Sequence, residues 1–156
     1  MYFLGIDPGS SGAIAVIDSE RNPVAYWDMP YANKELDYWR LSEILNEAKG
    51  MSDKVQCVME LCQYTPAIKG SGAFTFGKTV GATEATLAFS GISYELVRPQ
   101  KWKKEMSLLK TDKSASIALA KKMFPDMAKD FLKSKDGRAE AFLTAEYCRR
   151  IFVKGN

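Results

Sequence analysis

The chain has 156 residues and a mass of 17.4 kDa, the size of one domain, which excludes a two-lobed enzyme of kinase or synthetase size. Hydrophobic residues make up 46% and charged residues 26%, and a net charge of only +3 excludes a histone-like polycation. The sequence contains no histidine, which removes His-based triads, His general bases and His zinc ligands. The expected elements begin with three strands, Tyr2–Ile6, Gly12–Asp18 and Pro23–Asp28. Each is rich in Val, Ile or aromatic residues and ends in turn residues, and short links between them predict an antiparallel meander. Glu35–Lys49 reads as an amphipathic helix, with Leu36, Trp39, Ile44 and Leu45 on its apolar face. Val55–Glu60 is a short apolar strand, followed by a loop through Pro66, Gly70 and Gly72. Ala73–Phe89 is expected to be helical and Ile92–Val97 to be a strand. Arg98–Asp112 reads as an irregular basic stretch. Thr111–Phe124 is a helix capped by Thr111, with a stripe of Ala115, Ala118, Leu119 and Met123 that Pro125 stops. A last helix runs from about Gly137 to Phe152. The order predicts an α/β domain spanning the whole chain, a mixed sheet covered by helices.

Cys57, Cys62 and Cys148 match no zinc-binding spacing, and an odd count argues against a disulfide framework. They read as buried free thiols in a reducing compartment. The N-terminus has no basic segment followed by a long apolar run. No apolar stretch approaches the roughly 18–20 residues of a membrane span. A cytoplasmic location without membrane contact is expected.

Four acids stand out. Asp7 follows the first strand and Glu60 ends the later apolar strand. If those strands are parallel neighbours, both carboxylates lie at one end of the sheet, where open α/β sheets carry their sites. Asp136 and Glu140 are four apart at the start of the last helix, hence on one face. Each has an ordinary alternative: Asp7 as a turn residue, Asp136 as a helix cap. Glu60 and Glu140 sit in apolar settings, where an unpaired carboxylate is costly. Together the four can form an all-oxygen pocket, which suits Mg²⁺ or Mn²⁺ and two-metal phosphodiester hydrolysis.

Between Arg98 and Lys122 there are eight basic residues, including Lys101, Lys103, Lys104, Lys110 and Lys113. Only Glu105 and Asp112 oppose them, so the segment carries +6 and the rest of the chain −3. Such asymmetry points to a polyanion-facing surface. Trp102, inside it, can either pack or stack.

These residues resemble the RuvC-type Holliday-junction resolvases, and most of all the small versions carried by bacteriophages. The likeness rests on IDPGSSGA after the first strand, VMELC around Glu60, FGKTVG at Phe76–Gly81, RPQKWKK from Arg98, TDKS from Thr111 and KDGRAEAFLTAEY from Lys135. It implies a ribonuclease-H-like fold with a five-stranded mixed sheet. It also implies a homodimer that cuts four-way or branched DNA symmetrically with Mg²⁺ or Mn²⁺. Asp7, Glu60 and Glu140 match the family's catalytic, metal-binding acids. Asp136 is the fourth, although bacterial members commonly space the last pair by three, and the KDGRAEA form looks like the phage variant. Of the family's lysines near the scissile phosphate, Lys113 is the better match and Lys103 or Lys104 the looser one. Lys101, Lys103, Lys104 and Lys110 are the expected DNA contacts. Tyr64 is the nearest candidate for an aromatic wedge in the junction, with an ordinary loop tyrosine as its alternative.

Three other functions compete with junction resolution. The first is a broader nuclease for flaps and forks. The second is a fragment of an actin-like phosphotransferase, whose first strand carries a similar Gly-Ile-Asp turn. The third is a DNA-binding module without activity. For the dimer surface, the helix Ala73–Phe89 with Phe74, Phe76, Leu87 and Phe89 is the expectation, unless those side chains simply cover the sheet.

Overall fold

A computed structural model describes residues 1–61 and 70–154. Cys62, Tyr64 and the loop around Pro66 lie outside the described residues. A five-stranded sheet forms the centre, in the order β3-β2-β1-β6-β7. Its strands are β1 (Tyr2–Asp7), β2 (Ala13–Asp18), β3 (Pro23–Asp28), β6 (Val55–Glu60) and β7 (Ser93–Val97). β1, β2 and β3 form the expected antiparallel meander. β1, β6 and β7 run parallel, joined by helical crossovers. A small hairpin, β4 (Tyr31–Ala32) with β5 (Glu35–Leu36), precedes the first helix.

The strands alternate their side chains between two cores. Leu4, Ile6, Ile14, Val16, Cys57 and Met59 face helices α1 (Tyr38–Gly50) and α2 (Ser71–Phe89). Phe3, Ala13, Ala15, Ile17 and Val58 face α3 (Pro99–Glu105), α4 (Lys113–Met123) and α5 (Asp136–Lys154). This second face is built of small residues where α5 crosses it. A Cβ on Gly5 would lie 2.1 Å from the Ala141 carbonyl oxygen and 2.2 Å from the Ala145 nitrogen. Glycine at this position lets the backbone of α5 rest directly on β1. Cys57 and Cys148 are buried free thiols, and burial pushes both thiols well above their usual range. No helix among the described residues is long and apolar enough to cross a membrane.

Several local expectations are corrected. The first helix starts at Tyr38, not Glu35, because Glu35–Leu36 pairs in the hairpin and the Asp37 carboxylate caps the helix through the Arg40 N–H. Its buried face is Leu41, Ile44, Leu45 and Ala48, and Trp39 is 86% exposed. The basic stretch contains a helix, α3, with Pro99 in its first turn. The cap of α4 is Asp112 rather than Thr111, accepting from the Ala115 N–H. Of the expected stripe on α4, Ala115, Leu119 and Met123 pack partly buried against the core, whereas Ala118 is exposed, and the buried positions are Ser116, Ile117 and Ala120.

Candidate active site at the carboxyl end of the sheet

The parallel pairing of β1 and β6 puts Ile6 opposite Met59, so Asp7 and Glu60 follow side by side at the carboxyl ends of adjacent strands. α5 brings in the other two acids. Its first residue is Asp136, within the first turn rather than at the cap, and Glu140 lies one turn on. Gly137 sets the approach. A Cβ there would fall 2.2 Å from the Ser11 carbonyl oxygen, 2.5 Å from the Gly12 Cα and 3.0 Å from Asp7 Oδ2. Only a residue without a side chain lets the helix start seat against the β1–β2 loop, which brings Asp136 close to Asp7.

The electrostatics record this crowding. Burial pushes the Asp7 carboxyl up to about 7, and the charges of Glu60, Glu140 and Asp136 push in the same direction. The Gly9 N–H donates to Asp7 Oδ1 at 3.2 Å and only partly offsets this. Burial also raises the Glu60 carboxyl, against the Trp102 indole N–H, which donates to Glu60 Oε2 at 2.8 Å.

Two lysines meet the helix acids. The Lys113 ammonium bonds Asp136, which pushes its own pKa up, and Lys103 Nζ lies 3.2 Å from Glu140. Among the described residues, Asp7 and Glu60 form no ion pair. As the side chains are turned here, no three described Asp, Glu or Cys groups stand in position to share a metal ion. The donor set nevertheless fits one: four hard carboxylates at one strand end, with Asp7 opposed by the charges of the other three.

The lysines predicted from sequence divide. Lys103 and Lys113 reach the acids, whereas Lys101, Lys104 and Lys110 are exposed on or beyond α3. Trp102 is fully buried, so it packs and does not offer a stacking face.

A second network holds the start of α5. Asp28 at the end of β3 accepts from Arg138 Nε at 2.7 Å, Arg138 Nη2 at 3.0 Å and Lys135 Nζ at 2.9 Å. The Tyr26 hydroxyl donates to Asp130 at 2.7 Å, and Arg138 lies over the Tyr26 ring. The Arg138 guanidinium holds the Asp28 carboxyl down at about 2, with Lys135 adding to the effect. A depressed pKa gives stability that is complete above about pH 4 and is lost as the pH falls through about 2. Asp28→Asn should therefore lower stability at pH 7 by about 1 kcal/mol, the partial exposure of the group screening the rest. The deficit should shrink as the pH falls through about 2. Urea unfolding at both pH values checks this, and an equal deficit at each would refute it.

No known protein family matches the sequence, and no curated protein matches it. Solved structures do match the fold. The RuvC structure of Thermus thermophilus superposes with a TM-score of 0.73 at 15% identity, covering 99% of this chain and 96% of that one. The same organism's RuvC in complex with a Holliday junction substrate gives 0.71 at 15% identity, covering 99% and 95%. The fold is RuvC-like. The mixed five-stranded sheet flanked by helices is the ribonuclease-H-like α/β architecture expected from the sequence. In such a sheet the carboxyl ends of the parallel strands are where a site forms, and here they carry Asp7 and Glu60.

Proposed function

We propose that the chain is a metal-dependent, structure-selective DNA endonuclease of the RuvC type that resolves four-way junctions by paired nicks. The observation that carries this is the gathering of Glu60, Asp136 and Glu140 around Asp7 at the carboxyl end of a RuvC-like sheet, where burial first and their charges second push its carboxyl up to about 7. Residues 1–156 act as one domain, and the four-residue spacing of Asp136 and Glu140 favours the phage-like version.

Asp7, Glu60, Asp136 and Glu140 would hold Mg²⁺ or Mn²⁺. Bound there, the cations supply an activated water and offset charge on the leaving oxygen. The chain's own groups do the rest. The Gly9 N–H and the Trp102 indole fix the oxygens of Asp7 and Glu60. Lys113 and Lys103 turn from Asp136 and Glu140 towards the scissile phosphate, where a placed ammonium stabilises the charge of the transition state. Lys101, Lys104 and Lys110 contact the DNA backbone.

The deciding assay uses a synthetic junction and a cruciform plasmid. Cleavage should be absent in EDTA, restored by Mg²⁺ or Mn²⁺, and paired, so that the plasmid linearises without a long-lived nicked circle. Cutting in chelator would refute the metal site. Equal cutting of flaps and forks with released nicked circles would favour the broader nuclease.

Two opposed nicks need two sites, hence a symmetric dimer. The support lies on α2. Phe74, Gly77, Gly81, Ala85 and Ala88 recur at helical spacing and are all exposed, with Phe89 at 92%. Of the predicted apolar surface, Leu87 instead lies buried in the core and Phe76 is half-buried, whereas Phe74 and Phe89 are exposed. A Cβ on Gly81 would meet nothing within 4 Å, so Gly81→Arg fits the single chain. It should reduce the mass seen by light scattering from twice 17.4 kDa to 17.4 kDa and abolish paired nicking. A variant that keeps the double mass would remove α2 from the interface.

A further inference from the structure

A cleft of about 470 Å³ opens beside the four acids, on the other side of the β1–β2 loop. Ser10 and Ser11 form one wall, Trp27 and Tyr31 another, and Arg40 and Lys135 stand at its rim. Two positions tie it to the site. Ser11 belongs to the loop on which Gly137 seats, and Lys135 directly precedes Asp136. The lysines of α3 and α4 lie on the α5 face of the sheet, whereas Arg40 belongs to α1 on the opposite face. Cations thus stand on both faces of the sheet, those of α3 and α4 on one and Arg40 on the other.

The residues that line the cleft have the chemistry to receive a nucleotide. Its acid, Asp28, is saturated by Arg138 and Lys135 and adds no free negative charge. Among the described residues, Arg40 forms its ion pair with Glu43, at 2.9 Å, and both side chains are well exposed. Such a surface pair is easily exchanged for a phosphate. The hydroxyls of Ser10 and Ser11 are small donors on the loop that follows Asp7. Trp27 and Tyr31, both half-buried, present aromatic surface of the kind on which sugars and bases pack.

We propose that this cleft takes a nucleotide of the cut strand next to the scissile phosphate, its own phosphate held by Arg40, Lys135 and the Ser10–Ser11 hydroxyls and its sugar and base lying along Trp27 and Tyr31. The inference rests on the nuclease reading and adds a second anchor, on the α1 face, to the lysines of α3 and α4. A strand held on both sides of the acids cannot swing away from them.

The test replaces single phosphates of a four-way junction by uncharged methylphosphonate, one position at a time on each side of the cut. Binding and cleavage are measured for the wild-type chain and for Arg40→Ala, whose melting temperature should match wild type because it removes only an exposed pair. One flanking replacement should weaken wild-type binding by about five- to tenfold, the loss of one charge-assisted contact. Arg40→Ala should weaken binding of the unmodified junction by a similar factor and become indifferent to that same replacement. Lys135→Gln should behave alike. If every replacement adds independently to both substitutions, the cleft holds no phosphate, while the nuclease reading stands. If the wild-type chain neither binds nor cuts the unmodified junction, the nuclease reading itself falls, and the subsite with it.

Discussion

Asp7→Asn is expected to abolish cleavage and, in the same experiment, to raise the melting temperature of the metal-free chain at pH 8. The folded chain holds the Asp7 carboxyl up at about 7, against an ordinary value of 3.8. A raised pKa gives stability that is complete below about pH 4 and is lost as the pH rises through about 7. At pH 8 the ionised group sits among three other acids at full cost. Asparagine keeps the shape and the oxygen that accepts from the Gly9 N–H, and removes the charge. At about 1.4 kcal/mol per unit, the gain is on the order of 2–4 kcal/mol. For a chain of this size that corresponds to roughly 5–10 °C. Thermal melts in EDTA at pH 5 and pH 8 should show the gain growing with pH. Saturating Mg²⁺ should raise the wild-type melting temperature and leave the variant nearly unmoved. A variant no more stable than wild type in EDTA at pH 8 would mean that the four acids do not crowd.

Gly137→Ala should be almost as damaging to cleavage, although alanine is the better helix former by about 1 kcal/mol. Judged from the helix alone, the substitution stabilises. The β1–β2 loop reverses that, because the new methyl would lie 2.2 Å from the Ser11 oxygen and 2.5 Å from the Gly12 Cα. Both are backbone atoms and cannot swing aside. The start of α5 must shift instead, carrying Asp136 and Glu140 with it. A misplacement of about 1 Å in a reacting constellation costs about 10²-fold in rate. The expected result is a loss of that order, with junction binding and the far-UV spectrum close to wild type. Wild-type cleavage would mean that the seat of Gly137 does not control the site.

The strands were legible because each is a short β-branched or aromatic run between turn residues, and their ends fell within a residue of expectation. The first helix was not, because a two-residue turn at Asn33 and Lys34, both at positive φ, carries no glycine to announce a hairpin. Charge hid α3, although Pro99 at its start and the buried pair Trp102 and Met106, four apart, are a helix signal. Of the site, the strand-end acids and the helix pair could be read from position and from the family likeness. Lys103 or Lys104 was only the looser match for a lysine near the scissile phosphate, and nothing local announced the pairing of Lys103 with Glu140. The Asp28–Arg138 bond joins residues 110 apart and Tyr26–Asp130 residues 104 apart. No local pattern predicts which distant charges the fold will bring together.

Trp102 links two tasks that the sequence keeps apart. Its ring is locked in the core while its N–H grips Glu60, and its neighbours Lys101, Lys103 and Lys104 share its helix. The indole therefore ties the basic helix to the acid that ends β6. Under the proposed function, a duplex docked on the α3 lysines would load the same helix whose indole fixes a Glu60 oxygen at 2.8 Å, so that grip on the substrate would also align the acid.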